Sequence, residues 1–274
     1  MKRLRFIETA LVAMILSVSF LACSNDNENK PEDDNNSPET ELKLTELVWN
    51  DGRCFKLFYD KQQRLYKVEE YTESGYLEET GIIEYNENTI VVTASFPNIS
   101  NRKSIDICSL NSEGLIVKTV STEIYPNGQE DSYTEKYAYD KNQQLIGIQN
   151  TTYNTEVYIT WENGNLIAAN RNDYMNKYNN TYKYTTIPSS KGFFVFYDDV
   201  LIDIFHDIDY LNLLANCGYF GKVPQNLLAS ITIINDSEDT YTWSLSYQFG
   251  EDGYVTEISG TEDNKTYPAK LTWD

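Results

Sequence analysis

The sequence predicts a mostly β domain: an antiparallel sheet of repeated hairpins, as a curved sheet or open sandwich, with one late α-helix packed on it. Three observations predict this class. Apolar and polar residues alternate with a period of two along several segments, as half-buried strands require. A unit built from an aromatic residue, a turn and an apolar residue recurs along the chain. One late segment leaves that alternation for helical spacing.

The strands are clearest where alternation is longest. Tyr241, Trp243, Leu245, Tyr247 and Phe249 alternate with Thr242, Ser244, Ser246 and Gln248, giving one buried face and one wet face. Val157, Ile159 and Trp161 repeat the pattern and run into Asn163 and Gly164. That pair tolerates positive φ, so it closes a two-residue hairpin back into Leu166 and Ile167.

The recurring unit reads FYDKQQRLYKV at 58–68, AYDKNQQLIGI at 138–148 and QFGEDGYVTEI at 248–258. Each has an aromatic residue, an apolar residue six positions on, and a β-branched residue three further: Tyr59, Leu65 and Val68; Tyr139, Leu145 and Ile148; Phe249, Val255 and Ile258. Shorter relatives surround Tyr85 and Ile90, and Trp161 and Leu166. The pattern implies a series of antiparallel hairpins. These aromatic-Asp-x-x-x-x-Leu hairpins resemble the YD repeats of bacterial cell-surface proteins, a likeness that implies architecture and not activity.

From Val200 to Leu214 the apolar residues Val200, Leu201, Ile204, Phe205, Ile208, Leu211 and Leu214 follow helical spacing, and Gly218 suits the C-terminal end. Asp199, Asp203 and Asp207 share the opposite face. A rigid helix presents three carboxylates poorly to calcium, which takes about six to eight oxygens from a folded loop, so a solvated face is the favoured reading. His206 is the one histidine, and no serine or cysteine can be set beside it from sequence, which favours a structural role.

Ahead of the β domain lies a different kind of chain. Lys2, Arg3 and Arg5 precede an uncharged stretch from Thr9 to Ala22 that ends in SFLAC. As a helix this stretch rises about 21 Å, short of the roughly 30 Å of hydrocarbon in a bilayer, so residues 1–22 read as a secretory signal. Phe20 occupies a position where ordinary cleavage wants a small residue. The string resembles a lipobox, which implies cleavage before Cys23 and lipidation of that thiol. Each buried methylene contributes about 0.8 kcal/mol, and more than one acyl chain makes the anchor effectively permanent.

Residues 23–41 read as an acidic disordered tether. Asp26, Glu28, Glu32, Asp33, Asp34, Glu39 and Glu41 accompany one lysine and no aromatic residue between Ser24 and Glu41. Like charges extend such a segment and hold the β domain away from the membrane. The early acidic run also resembles the surface-export signals of Bacteroides-group lipoproteins. The expected location is therefore lipid-anchored at the outer membrane and facing the cell surface, with the periplasmic face as the alternative.

Residues 42–274 form a single β-rich domain, since no second Pro-, Gly- or charge-rich linker interrupts them. Removing residues 1–22 takes away three bases and one acid, moving the net charge from −20 to −22. Nucleic acid is excluded as a partner, because no basic stripe is present to release its counterions. Cys54, Cys108 and Cys217 remain after lipidation, an odd count that leaves one disulfide or three free thiols open. No two of them lie close together beside a histidine, so no zinc site and no metal or other cofactor is expected.

The string NCGYFGKVPQNLLASI, at 216–231, contains Gly-x-x-Gly-Lys. A phosphate-binding loop is rejected, because a helix precedes the string, the glycines are too close, and Val223 stands where Ser or Thr must bind magnesium. As a turn it is consistent: Gly218 and Gly221 allow positive φ, Pro224 stiffens the loop, and Leu227 and Leu228 return to the core. With the hairpins, the late helix and the closing strands, this Gly218, Gly221, Lys222, Pro224, Leu227 segment resembles a Bacteroidales lipoprotein family, domain of unknown function 4595. The resemblance covers nearly the whole mature domain and implies a surface or periplasmic lipoprotein, with no activity attached.

Function is expected to be non-enzymatic binding at the cell surface. Tyr174, Tyr178, Tyr182 and Tyr184 cluster in an Asn-rich stretch and are the candidate ligand-binding rings, for a glycan or a protein. Two alternatives stand beside it. One is a hydrolase of extracellular polymer using paired carboxylates, which 42 acidic residues neither exclude nor localise. The other is a structural or assembly subunit at the outer membrane.

Overall fold

The computed structural model describes residues 42–99, 101–172, 177–193, 210–235 and 239–274. The leader, the tether and Cys23 lie outside the described residues, as do Tyr174 and the predicted helical residues before Tyr210, among them Asp199, Asp203, His206 and Asp207.

The first eight strands are β1 Leu44–Trp49, β2 Cys54–Tyr59, β3 Leu65–Tyr71, β4 Leu77–Tyr85, β5 Thr89–Ser95, β6 Lys103–Leu110, β7 Ile116–Ile124 and β8 Glu130–Tyr139. The second eight are β9 Leu145–Asn150, β10 Thr155–Glu162, β11 Asn165–Asn172, β12 Lys177–Pro188, β13 Asn226–Ile234, β14 Thr240–Phe249, β15 Val255–Glu262 and β16 Lys265–Trp273. Each pairs antiparallel with its sequence neighbours, and β1 pairs with β16, so the sheet is a closed barrel.

This corrects the expected curved sheet or open sandwich. The closing register sets Leu47 against Leu271 and Trp49 against Ala269, all four buried. Lys43 and Asp274 then exchange two backbone hydrogen bonds of 2.8 and 2.9 Å. An open sheet would leave two rows of unpaired backbone groups at its edges, and closure removes both. Hairpin alternation is the same in either arrangement, which is why the pattern along the chain pointed to the strands and not to the ring.

The recurring unit has a common turn. Asp60 accepts from the backbone N–H groups of Gln62 and Arg64 at 2.8 and 2.9 Å, and Asp140 accepts from those of Asn142 and Gln144 at 2.8 and 2.9 Å. Asn111 does the same for Glu113 and Leu115. The third residue after each acceptor, Gln63, Gln143 or Gly114, has φ of +61°, +63° or +79°. A register shift just before each turn, at Phe58/Tyr59, Ser109/Leu110 and Ala138/Tyr139, is a bulge that re-aims the strand-end side chain.

Aromatic residues near the strand ends tie neighbouring hairpins together. Tyr59, Tyr85, Tyr139 and Tyr247 donate hydroxyl hydrogen bonds to the carbonyls of Leu44, Leu65, Ile116 and Leu228, at 2.6–2.8 Å. The indoles of Trp161 and Trp273 donate likewise to Leu145 and Val255, both at 2.7 Å. The result is an aromatic belt inside one end of the barrel, each ring apolar in body and satisfied at its tip. In the third unit the belt residue is Tyr247, while Phe249, at the position of Tyr59 and Tyr139, stands 42% exposed.

The wall is mainly apolar within and mainly polar without, although Ile82, Ile107, Ile146 and Tyr158 also stand exposed on its outside. Phe55, Leu57, Leu65, Val68, Ile90, Val92, Leu145 and Val157 face inward and are buried. Outward positions hold Lys56, Glu84, Lys118, Lys136, Gln149, Asn170, Lys183, Gln248 and Lys270, all exposed. A membrane-spanning barrel has the opposite arrangement, with an apolar band outside and a polar interior.

Sixteen strands enclose more space than their own side chains fill. A helix between β12 and β13 supplies filling. This helix, α1 Tyr210–Asn216, has Leu211, Asn212, Leu213, Leu214 and Ala215 all at 3% exposure or less. Five consecutive buried residues cover every side of a helix, so α1 stands inside the barrel and is not packed on an outer face as the sequence predicts. Each buried leucine contributes about 2 kcal/mol. Asp199, Asp203 and Asp207, expected on a wet face, lie outside the described residues, and α1 carries the apolar end of the predicted segment.

Candidate functional site

The two mouths of the barrel differ, and the plug formed by α1 and the residues after it defines both. At the mouth carrying the Asp60, Asn111 and Asp140 turns, the residues after α1 lie across the opening. Tyr219 stacks near Tyr85 at 5.8 Å, Phe220 meets the Tyr137 ring edge-on at 4.9 Å, and Ile116 donates its N–H to the Tyr219 carbonyl at 2.8 Å.

The Gly218–Leu227 segment completes this seal. Gly218 and Gly221 have φ of +87° and +83°. A Cβ on Gly221 would lie 2.1 Å from the Gln143 carbonyl oxygen, so only glycine lets the loop settle on that turn. Lys222 then donates its N–H to Gln143 at 3.0 Å, and Gln225 to Gly164 at 2.9 Å. Pro224 accepts a hydrogen bond from the Ser189 hydroxyl, and Leu227 is buried. A groove of about 620 Å³ runs beside this loop, bordered by Asn142, Gln144, Gly164 and Ser189. Its backbone groups are largely used up in holding the seal.

At the opposite mouth the barrel forms a cup of about 590 Å³. Tyr210, the first residue of α1, is part of its floor. The ring lies against Gly81 of β4, where a Cβ would approach it to 2.0 Å, and its hydroxyl donates to Glu79 at 2.7 Å. Five carboxyl groups line the cup, from Glu70, Glu78, Glu79, Asp106 and Glu123, against two guanidinium groups, from Arg53 and Arg102. Phe55, Phe96 and Tyr133 supply aromatic surface. The size suits a small molecule or the tip of a larger one.

The strands fix these groups by period. Glu70 of β3 and Glu79 of β4 are register partners, as are Ser104 and Glu123, and Asp106 and Ser121, of β6 and β7. Toward the sealed end the same inner faces carry Leu65, Val68, Cys108 and Ile116, all buried. Thus the inward faces of β3, β4, β6 and β7 change from apolar at the sealed end to acidic at the cup.

Charge in the cup is only partly paired. Arg53 holds Asp51 at 2.9 Å and reaches Glu70 at 3.8 Å. The Arg102 guanidinium sits 4.3 Å from the Phe96 ring centroid and 3.9 Å from Glu123, without a hydrogen bond between Nε and Oε2. Asp106 is 7% exposed. Burial pushes its carboxyl above the ordinary value of 3.8; the Ser121 hydroxyl leaning toward it opposes this, and the Glu123 charge adds to it. Ser121 Oγ is buried and makes no hydrogen bond of normal geometry.

The tyrosines singled out by sequence sit elsewhere. Tyr182 is 4% exposed and faces the core from β12, opposite Ile231. Tyr184 is half-buried opposite Leu228, and its buried hydroxyl makes no hydrogen bond of normal geometry. Tyr178 is half-buried opposite Arg171. These three rings are not brought together with the cup's lining. Cys54, Cys108 and Cys217 form no disulfide with one another. The cup residues were missed because each acid is ordinary alone; the available signal was their phase, since Glu70, Asp106 and Glu123 fall on the inward register shared by Val68, Cys108 and Ser121.

Solved structures that share the fold include two porin-like proteins. A porin-like protein from Bacteroides uniformis ATCC 8492 superposes with a TM-score of 0.63 at 17% identity, covering 86% of this chain and 99% of that one. A porin-like protein from Bacteroides vulgatus ATCC 8482 gives 0.55 at 14% identity, covering 84% and 98%. No curated protein is similar at a significant level. Residues 57–257 match the domain of unknown function (DUF4595) with porin-like fold, and the chain belongs to that family.

Proposed function

We propose that this chain is a lipid-anchored envelope protein whose barrel is a non-enzymatic binding module, plugged at one mouth and receptive at the other. The observation that supports it most is the cup: a concave, mixed acidic and aromatic surface of about 590 Å³ with a helix as its floor. A plug inside the barrel opposes conduction. Lysines on the outer wall oppose insertion, since each would cost about 2–4 kcal/mol at the bilayer midplane. In this reading the fold resembles a porin and the surface does not, so attachment falls to Cys23, and the acidic tether carries the barrel clear of the outer membrane toward the cell surface.

Two measurements test this. Cys23→Ala should release the protein into soluble fractions or leave it unprocessed, and wild-type partitioning of the variant would end the anchor reading. Screening the protein on glycan and peptide arrays should yield a ligand whose binding is lost in cup variants such as Phe55→Ala; arrays without enrichment would remove the module reading.

A second reading has one observation in its favour. A buried carboxyl whose proton is held more tightly by desolvation, Asp106, lining the same cup as a second carboxyl, Glu123, is the kind of pairing an acid–base polymer hydrolase uses. Release of reducing ends from polysaccharide, abolished by Asp106→Asn, would establish that reading in place of simple binding.

A further inference from the structure

We infer that the cup recognises its ligand through an ammonium or guanidinium group, held among Glu70, Glu79, Asp106 and Glu123 and against the Phe96 and Tyr133 rings. This rests on the binding-module reading and names the chemistry that the module takes.

Charge balance is the first argument. The lining has five carboxyl groups and two guanidinium groups, so an anionic ligand meets net repulsion and a cation meets attraction focused by low-dielectric walls. The second argument is what lies unsatisfied there. Asp106 lines the cup at 7% exposure, and beside it Ser121, 4% exposed, has a hydroxyl that makes no hydrogen bond of normal geometry. Glu123 keeps a buried Oε2 that accepts no hydrogen bond. A buried acceptor without a donor costs about 1–3 kcal/mol, and a ligand that donates N–H groups recovers it.

The third argument is that a guanidinium is already accommodated. Arg102, from the β5–β6 connection, lies over Phe96 at 4.3 Å with Glu123 at 3.9 Å, which combines a ring face with a carboxylate as cation recognition requires. A second ring and carboxyl stand side by side in the cup at Phe55 and Glu70, which are register partners of β2 and β3. A metal ion is the less suitable occupant. Among the described residues no three of His, Cys, Asp or Glu converge closely enough to hold one, whereas carboxylates spread around about 590 Å³ match the span of an organic cation.

The experiment is titration calorimetry on the full-length protein with spermidine, the tripeptide Arg-Arg-Arg and neutral maltohexaose. Spermidine and the tripeptide separate a free polyamine from a basic side chain as the source of the cation. Saturable binding of either is expected, weakening as salt rises, and falling about tenfold in Glu123→Gln and in Asp106→Asn, in line with the strength of charge-assisted hydrogen bonds. Glu113→Gln, at the sealed mouth, should leave it unchanged. Glu123→Gln serves as the second variant if Asp106→Asn perturbs folding, which circular dichroism reports. Cation binding that ignores both cup variants overturns the inference. Maltohexaose binding that is lost in Phe55→Ala while neither cation binds also overturns it, yet leaves the module reading standing. If none of the three probes binds and the arrays are blank, both fall.

Discussion

The two mouths of this barrel are built from the same hairpins, yet they use carboxylates in opposite ways. At the sealed mouth Asp60 and Asp140 lie in surface turns and each is encircled by donors. Backbone N–H groups of Arg64 and Gln144, first among several, hold their carboxyls below the ordinary range. At the cupped mouth Asp106 is buried, and its carboxyl is pushed up. In the first case the charge organises a turn that the fold needs. In the second the fold tolerates a carboxyl whose surroundings oppose its charge, and a cost retained in one place and not another points to a use there.

If the sealed mouth is structural, changes there should alter stability and leave the cup alone. The largest effect is expected from Leu214→Ala in the plug, fully buried, at about 3–4 kcal/mol by urea unfolding. A loss below about 1 kcal/mol would show that the plug is not packed as described. Next comes Gly221→Ala, which sets a Cβ against the Gln143 carbonyl at positive φ; about 2 kcal/mol of destabilisation is expected, with ligand affinity at the cup retained. Tyr139→Phe removes the 2.6 Å bond to the Ile116 carbonyl and should cost about 1 kcal/mol, a measure of one link in the belt.

The finest test is pH. Asp106 has a raised folded-state value, so the folded state holds its proton more tightly, and stability falls as pH rises from 3.8 through that value. Asp106→Asn should remove this decline, matching wild type at low pH and exceeding it at neutral pH. Asp140 has the opposite sign: its contribution is present above 3.8 and is lost as pH falls, so Asp140→Asn should flatten the acid side of the profile. Parallel pH profiles for the two variants would erase the distinction between the mouths.

Much of this architecture was legible along the chain. The Asn163-Gly164 hairpin, the Asp60 and Asp140 turns and the alternation in β10 follow from local rules, and the structure places a turn or strand at each. Closure was not legible, because Leu47 and Leu271 meet only through the accumulated twist of all the strands between them. The plug was half legible: apolar spacing marked a helix, but the pattern does not say whether a sheet lies on one side of it or all around. The candidate rings at Tyr182 and Tyr184 illustrate the converse. Tyrosine suits a binding face and a buried wall equally well by composition, and strand register decides which. The cup depended on strands distant in sequence, and no local window contains Glu79 together with Asp106.

Fifteen of the sixteen strand pairs join neighbours in chain order, and only β1 with β16 brings the two ends of the domain together. Such a ladder can grow hairpin by hairpin with modest loop-closure entropy, leaving one costly long-range step for last. Until that step two sticky edges are bare, and α1 must already be inside. A nascent chain lacking β16 would therefore be an assembly hazard, prone to join a second copy edge to edge, and the final nine residues of the ladder act as the latch that closes the ring on itself.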